Sequence, residues 1–230
     1  MSVRIVSLVP SVTETLTAWD RVPIACTRFC ERPDLEHVGG TKDPDVDRIE
    51  ALHPDLVVMD AEENRREDYD ALVERDMPVC VLHIRSLSDV NSSMVDLAAR
   101  VDVTWRTIQL ERPAPNRLRA FVPIWRRPWM ALGSPTYGSS LLAYLGVENP
   151  YDGDGPYPPV ELEAVRERHP DVVLAPSEPY PFTVRQLPEL ELVAPTYFVD
   201  GKDLFWWGHR THHALARLAV EIERICAARS

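Results

Sequence analysis

Short apolar runs alternate with longer amphipathic segments along most of the chain. The apolar runs predict strands at 4–9, 22–26, 56–59, 78–83, 129–132 and 192–199. The segments between them predict helices, and Ser11 with Glu14 three residues later has the spacing of a capping box at the first helix. Regular alternation of strand and helix is typical of a parallel sheet covered by helices, and so we predict an α/β fold.

One segment has a different pattern, because apolar residues recur every three or four positions over more than twenty residues. This spacing predicts a single long amphipathic helix, capped near Ser88 and ended by Pro113 and Pro115. We therefore expect an N-terminal lobe at 1–86, a connecting helix at 87–112 and a C-terminal lobe at 113–230. The apolar positions of the helix are Leu87, Val90, Met94, Leu97, Val101, Trp105 and Ile108.

The sequence His-Pro-Asp followed by an apolar strand occurs twice, at His53 and again at His169. An acidic, mildly amphipathic segment precedes each copy. The repeat favours two similar parallel-sheet lobes with a ligand cleft between them, where small ligands are usually held. The alternative is that helix, proline turn and strand form a common α/β unit that two halves share by chance.

Composition and charge narrow the function classes. The 230 residues are 45% hydrophobic and 27% charged, as in an ordinary globular protein. The net charge of −11 disfavours nucleic acid and anionic membranes as partners. No apolar stretch approaches the ~20 residues of a membrane span, so we do not expect a membrane-embedded protein.

The sequence as written begins with a predicted core strand and shows no leader segment. We therefore expect a cytoplasmic protein, or a periplasmic or extracytoplasmic one if the true start lies upstream. The four cysteines are too scattered for a disulfide framework. Cys26 and Cys30 lack a matching second pair, and we interpret them as buried free thiols rather than zinc ligands.

His209, His212 and His213 form a cluster of potential metal ligands near the end of the sequence. His209 and His213 are four residues apart and would share a helix face, as in two-histidine metal sites. Three interpretations remain open: a partly exposed helix start, an axial ligand from His209 to haem iron or cobalt, and a small metal-dependent enzyme or metal-binding protein. No nucleophile elbow, phosphate loop or dinucleotide turn is present, so we expect neither an enzyme nor a required cofactor.

Four stretches of the sequence each match a segment of one known family. They are the opening Arg-Ile-Val-Ser-Leu-Val-Pro-Ser-Val-Thr-Glu-Thr-Leu, the Gly-Gly, acidic helix and Pro-Asp strand unit from Val38-Gly39-Gly40 through Met59, and the stretches 137–149 and 204–210, the latter with Trp-Gly-His-Arg. Together they resemble the helical-backbone (class III) substrate-binding proteins of ABC importers for cobalamin, haem and iron-siderophores, and the cobalamin-binding branch is the most similar.

The resemblance implies two α/β lobes joined by one long helix, with a cobalamin-like, haem or ferric siderophore ligand in the cleft. It also implies that an acid on each lobe, here Asp47 and Glu163, pairs with arginines of an ABC permease. The alternative is that both acids are only solvated helix charges. The sequence departs from the family in its missing leader and in a short, proline-rich segment at 109–119. A cytoplasmic relative that sequesters or senses the ligand therefore stays open, and we expect a monomer.

Flat, rigid aromatic side chains at loop positions suit a corrin or porphyrin face. Phe29 and Tyr157 fall where the resemblance implies pocket aromatics, and adjacent Trp206 and Trp207 cannot both face one core. Nearby cations could meet ligand carboxylates or phosphates. The predicted ligand-binding residues are Arg28, Phe29, Lys42, Trp129, Tyr137, Tyr157, Trp206, Trp207 and Arg210.

Overall fold

The computed structural model describes residues 3–111 and 113–229, so that Met1, Ser2, Arg112 and Ser230 lie outside the described residues. The chain divides into two compact units. The first unit extends to Ile84 and adds Ser88–Thr107 and Trp207–Arg210. The second unit comprises Arg85–Leu87, Ile108–Trp206 and the residues from Thr211 onward.

The first unit is built on a five-stranded parallel sheet with the strand order β3-β2-β1-β4-β5. Its central strands β1 and β4 are buried along their full length, as expected of a parallel sheet with both faces covered. The strands are β1 (Ile5–Ser7), β2 (Ala25–Cys26), β3 (Glu36–His37), β4 (Leu56–Asp60) and β5 (Val79–Leu82), and the helices are α1 (Pro10–Ala18), α2 (Val46–Ala51), α3 (Arg66–Val73) and α4 (Leu87–Arg100).

The second unit contains a four-stranded parallel sheet with the order β11-β10-β6-β9 and a two-stranded antiparallel ribbon of β7 and β8. A 3-10 turn at Val184–Gln186 precedes α7. The strands are β6 (Leu118–Phe121), β7 (Pro123–Trp125), β8 (Met130–Ala131), β9 (Val147–Glu148), β10 (Val172–Pro176) and β11 (Thr196–Val199), and the helices are α5 (Tyr137–Tyr144), α6 (Leu162–Glu167), α7 (Leu187–Leu190), α8 (Gly201–Phe205) and α9 (Thr211–Arg229).

Each unit has its own apolar core, and the predicted parallel-sheet α/β fold is confirmed in both. In the first unit, fully buried side chains from β1 and β4 pack with Ile49 of α2 and Leu72 of α3. In the second unit, Phe121 of β6 packs with Val165 of α6 and the apolar face of β10. Burial of these apolar surfaces is the main stabilising term in each unit.

The repeated His-Pro-Asp sequence forms the same connection in both units. His53 and His169 take the left-handed conformation, with φ of 45° and 50°, where α2 and α6 end. The carboxylates of Asp55 and Asp171 then accept a hydrogen bond from the backbone N–H of Arg4 (2.8 Å) and Arg119 (2.9 Å) in the neighbouring strand segment. The repeat therefore reflects two equivalent helix-to-strand connections, α2 to β4 and α6 to β10, each tied to the neighbouring parallel strand segment at β1 or β6.

The helix predicted for 87–112 is too long, since α4 ends at Arg100 and residues 101–111 are not helical. All seven predicted apolar positions are nevertheless buried. The helix ends because Asp102 has a φ of 53°, through which a helix cannot continue. The Arg21 guanidinium, distant in sequence, stabilises this end by donating to the carbonyls of Val101 (2.8 Å) and Asp102 (2.9 Å). Arg112, the predicted last residue, lies outside the described residues.

The capping box predicted at Ser11 and Glu14 is wrong. The helix begins at Pro10, whose fixed φ suits the first helical position, so the N-cap falls on Val9. Ser11 is consequently inside the first turn, and the Glu14 carboxylate pairs instead with the Arg210 guanidinium, with an Nε–Oε1 distance of 3.1 Å. Where a proline stands beside a capping-box pattern, the first residue of the helix is therefore better predicted from the proline.

The central strand β6 of the second sheet was missed from the sequence, where the second half was predicted to resume with a strand at 129–132. Leu118–Phe121 is only four residues long and follows a proline-rich stretch, so its apolar pattern is too short to stand out. The observed β8 within 129–132 belongs to the antiparallel ribbon.

No helix in the described ranges combines the length and the apolar composition needed to cross a bilayer.

Candidate functional site

The carboxyl ends of β2 and β3 carry three of the predicted ligand-binding residues of the first unit. Arg28 and Phe29 follow β2, and Phe29 is 53% exposed with the Arg28 guanidinium 4.9 Å above its ring. Arg28 is also paired with Asp43 at 2.9 Å. Lys42 follows β3 and donates from Nζ to the carbonyl of Glu62 at 2.7 Å. The loops beyond the carboxyl ends of parallel strands are where open α/β sheets hold ligands.

Two buried thiols lie beside this loop, as predicted for Cys26 and Cys30. The Cys30 sulfur accepts a hydrogen bond from the Thr13 hydroxyl at 3.1 Å and lies 3.3 Å from the Thr27 hydroxyl. A hydrogen bond from Cys26 lowers the pKa of the Cys30 thiol to about 6, while the same interaction raises the pKa of Cys26. These contacts fix the start of the loop that presents Arg28 and Phe29.

Asp60 lies at the carboxyl end of β4 and was not among the residues predicted from the sequence to bind a ligand. Its Oδ1 accepts hydrogen bonds from the backbone N–H groups of Glu62 (3.0 Å) and Glu63 (3.2 Å). Its Oδ2 is buried and has no hydrogen-bond partner among the described residues. Burial raises the pKa of Asp60 to about 7. An acid closing the apolar run Leu-Val-Val-Met was the available sequence signal for this position.

The segment that precedes α9 is tied to α1 within the first unit. The backbone N–H of His209 donates to the Thr15 hydroxyl at 3.0 Å, and the Arg210 guanidinium is held by Glu14. Gly208 has a φ of 104°, and a Cβ there would lie 2.3 Å from the Thr15 hydroxyl oxygen. Arg210 is therefore positioned by an ion pair rather than left available for an incoming anion.

In the second unit, four aromatic rings lie close together, two of them in or next to the β7–β8 ribbon and two in the loop after β10. Trp129 stacks on Phe182 with ring centroids 5.9 Å apart and an interplanar angle of 6°. Tyr180 contacts both Phe182 (4.7 Å) and the 45%-exposed Trp125 (5.7 Å). Of these four rings only Trp129 was predicted, because single aromatics in short loops carry no periodic signal. A small apolar pocket of about 260 Å³ lies against Phe182 and Phe198.

Tyr157 lies 40% exposed in the proline- and glycine-rich loop that follows β9. Backbone hydrogen bonds from Ala131 to Pro158 (2.9 Å) and from Gly133 to Pro156 (2.8 Å) fasten this loop to β8. Gly133 is required there, since a Cβ would lie 2.0 Å from the carbonyl oxygen of Gly155. The loop thus holds Tyr157 in a defined position despite its composition.

Two of the predicted ligand-binding residues pack in the interior instead. Tyr137 is 4% exposed, its hydroxyl lies 3.0 Å from the Thr211 hydroxyl, and burial raises its pKa. Trp207 is 5% exposed, whereas Trp206 is half-buried with the Lys202 ammonium 5.0 Å from its ring centroid. Trp206 and Trp207 do differ in burial, Tyr137 and Trp207 pack in the interior, and contact between Trp206 and a ligand stays a prediction.

Asp47 and Glu163 occupy the second position of α2 and α6, the two equivalent helices. Both are exposed, and the Asp47 side chain is 86% exposed while lying 2.6 Å from the Arg75 guanidinium. The repeat seen in the sequence therefore places Asp47 and Glu163 at structurally equivalent positions. Their role in docking a permease stays a prediction.

The histidine cluster finds no support as a metal centre. Within residues 3–111 and 113–229, no group of three or more His, Cys, Asp or Glu side chains is arranged to hold a metal ion. The alternative of a metal-dependent enzyme or metal-binding protein using His209, His212 and His213 is accordingly set aside. Axial ligation of a bound metal by His209 alone stays a prediction, as does the ligand cleft.

Exposed rings beside cations at the carboxyl edge of a parallel sheet indicate a class of protein that binds a small molecule at that edge. The chain belongs to the periplasmic binding protein family, whose model matches residues 5–186. Members of this family are substrate-binding proteins and not enzymes, so the resemblance and the expectation of a non-enzymatic binder are confirmed.

Curated and solved relatives extend the match over almost the whole chain. A vitamin B12-binding protein of Pectobacterium carotovorum subsp. carotovorum (strain PC1) is 24% identical over 253 residues, covering 97% of this chain and 87% of the relative. The structure of the periplasmic vitamin B12 binding protein of Vibrio cholerae matches with a TM-score of 0.74 at 17% identity, covering 98% of each chain. A periplasmic haem binding protein from Pseudomonas aeruginosa matches with a TM-score of 0.77 at 19% identity, covering 96% of this chain and 92% of that one.

Proposed function

We propose that this protein is the substrate-binding component of an ABC importer and that it binds a cobalamin-like or haem-like metal chelate, with ferric siderophores as the third ligand class. Membership of the periplasmic binding protein family supports the binding role, and the B12- and haem-binding relatives support the ligand class. The single structural observation that carries the proposal is the exposure of two aromatic rings, Phe29 and Tyr157, in loops that follow the parallel strands β2 and β9.

These rings are suited to a flat, largely apolar ligand. Phe29 and Tyr157 are 53% and 40% exposed, and the Trp129–Phe182 stack adds a rigid platform. Covering about 100 Å² of exposed ring surface would contribute roughly 2–3 kcal/mol at ~25 cal/mol per Å². Aromatic side chains also lose little conformational entropy on binding, which favours recognition by shape.

A ligand panel tests the proposal. Purified protein is mixed separately with cyanocobalamin, haemin and a ferric siderophore, and the melting temperature is measured by circular dichroism. A ligand that binds the native state alone raises the melting temperature by mass action. We expect a concentration-dependent rise with one tetrapyrrole, and the absence of a rise with all three ligands would contradict the proposal.

Truncation of the rings tests which surface the ligand contacts. Phe29→Ala and Trp129→Ala are expected to weaken binding by roughly tenfold to a hundredfold, from about 2 kcal/mol of lost apolar contact each. Leu192→Ala removes a 70%-exposed apolar side chain and is the matched control, with no expected change. Equal affinities for wild type and both ring variants would place the ligand elsewhere.

We further propose that Asp47 and Glu163 dock the protein on its permease, because they are equivalent, exposed and carried by short helices at the same position. Two carboxylates on rigid elements can pair with basic groups on a partner. The double variant Asp47→Lys with Glu163→Lys should retain ligand affinity and lose uptake in reconstituted vesicles. The same reversal at Glu67 and Glu167 is the control, and loss of uptake in both double variants would refute a specific role.

The relatives named as periplasmic also support a periplasmic or extracytoplasmic location for this protein. Fractionation of cells that carry the natural gene, followed by immunoblotting, measures this directly. Recovery with the released periplasmic proteins supports import, and recovery with the cytoplasmic fraction would favour a relative that sequesters or senses the ligand.

A further inference from the structure

A buried acceptor at the carboxyl end of β4 points to the chemistry of the ligand. Asp60 is 2% exposed, and it lines a pocket of about 280 Å³ that lies entirely within the first unit. Its Oδ2 lacks a hydrogen-bond partner in the part of the chain that the structure describes. Buried polar atoms are nearly always hydrogen-bonded, and an orphaned one that lines a pocket is best satisfied by a donor on a bound molecule.

The other polar groups of the pocket do not supply that donor. The amide of Asn64 donates to the carbonyls of Leu8 (3.2 Å) and Thr41 (2.9 Å), and its oxygen accepts from the backbone N–H of Asp60. The guanidinium groups at the start of α3 are paired within that helix, Arg65 with Asp68 at 3.1 Å and Arg66 with Asp70 at 2.8 Å.

The pocket holds cations as well as the acid, and both of its arginines already have a carboxylate partner. Arg65, Arg66 and His83 line the pocket, and the two arginines pair with Asp68 and Asp70. The orphaned Oδ2 of Asp60 is an acceptor, so a neutral hydrogen-bond donor brought to it would complete its hydrogen bonding, whereas a carboxylate would bring a second acceptor.

We infer that the Asp60 pocket receives a carboxamide arm of the ligand, so that this protein selects an amide-bearing corrinoid over a tetrapyrrole that bears carboxylates. The inference rests on the proposed function, since it names the substrate class for that function. A carboxamide offers N–H donors to Oδ2, while ionised carboxylates, including haem propionates, are acceptors only. A single hydrogen bond to a charged acceptor accounts for about a tenfold to hundredfold difference in affinity.

Two corrins that share one ring system isolate this effect. Dicyanocobinamide carries amide arms and dicyanocobyrinic acid carries carboxylates. The affinity of each is measured by quenching of tryptophan fluorescence at about pH 8, where Asp60, with a pKa of about 7, is mostly ionised. Wild type is expected to bind the amide corrin at least tenfold more tightly. Asp60→Asn keeps the acceptor oxygen for the loop and presents an N–H donor in place of Oδ2, so it should reduce this ratio at least fivefold. Glu67→Gln removes the same charge from the exposed face of α3 and should leave the ratio unchanged.

The outcomes separate the inference from the proposed function. If wild type binds both corrins equally, or if Asp60→Asn leaves the ratio as it was, the inference is overturned while tetrapyrrole binding stands. If wild type binds neither corrin nor haemin, the proposed function itself fails. Circular dichroism confirms that each variant is folded, and Asp60→Thr, which keeps a hydroxyl acceptor for the loop, replaces Asp60→Asn should that variant not fold.

Discussion

Asp60→Asn is expected to remove a pH-dependent part of the free energy of unfolding. The substitution preserves the shape of the side chain and one acceptor oxygen for the backbone N–H groups of Glu62 and Glu63. It removes the ability to ionise. Any constant cost of the new amide group shifts the stability at every pH by the same amount, so the pH dependence reports on ionisation alone.

The magnitude follows from the burial of the carboxyl group. Burial raises the pKa of Asp60 from an ordinary value of 3.8 to about 7, a difference that corresponds to about 4 kcal/mol. The folded state binds the proton more tightly than the unfolded state. This group therefore stabilises the fold most below about pH 4, and the contribution is lost as the pH rises through about 7. Roughly 2–3 kcal/mol of the change falls between about pH 5 and about pH 8.

Urea unfolding of both proteins at about pH 5 and about pH 8 measures the effect. The signal combines circular dichroism with tryptophan fluorescence, to which the Trp19–Trp105 pair of the first unit contributes at a centroid distance of 5.8 Å. We expect the stability of Asp60→Asn relative to wild type to increase by about 2–3 kcal/mol from the lower to the higher pH. Asp34→Asn is the control, because its bond to Arg32 lowers the pKa of Asp34 to about 2, so its effect falls below this pH range. Stability curves that stay parallel within about 0.5 kcal/mol would refute the raised pKa of Asp60.

Three further predictions follow from the fold and the proposed site. Asp55→Ala and Asp171→Ala should each lower the free energy of unfolding by about 1–3 kcal/mol, because the backbone N–H of Arg4 or Arg119 loses its acceptor. Chemical denaturation measures this, and unchanged stability in either variant would contradict the same role for both aspartates. Gly133→Ala should lower the free energy of unfolding by more than about 2 kcal/mol, since the new Cβ would lie 2.0 Å from a carbonyl oxygen. Gly153→Ala, which has open space around it, should lower it by only about 1–2 kcal/mol because of its positive φ, and equal melting temperatures of the two variants would contradict this reasoning. If His209 ligates haem iron, the Soret shift seen when wild type binds haem should be lost in His209→Ala. A Soret shift that persists in this variant would exclude His209 as the axial ligand.

The fold was largely predictable because its signals are long or repeated. Continuous apolar runs predicted β1, β4 and β10, and the two His-Pro-Asp copies predicted two similar units. Two elements were missed for different reasons. β6 is four residues long beside a proline-rich stretch, which gives a weak pattern. α4 ends early where Arg21, which is distant in sequence, binds the carbonyls of Val101 and Asp102 just after the helix.

The candidate site was less accessible to sequence reasoning. Phe29, Trp129 and Tyr157 were found from their residue type and loop position, and each lies in or beside a loop at a sheet edge. Tyr137 was misplaced because burial of a tyrosine depends on tertiary packing rather than on its immediate neighbours. Asp60 was overlooked because an orphaned carboxyl oxygen can be recognised only once the partners of every surrounding group are known.

Equilibrium dialysis tests the central claim that this protein is a non-enzymatic receptor for a metal-chelating tetrapyrrole. Purified protein is dialysed against cyanocobalamin and, separately, haemin, and the retained ligand is released by denaturation and compared with the starting compound by mass spectrometry. We predict saturable retention of at least one of them, with a Kd on the order of micromolar or lower, and chemically unchanged ligand. Retention of neither compound, or recovery of a transformed product, would contradict the claim.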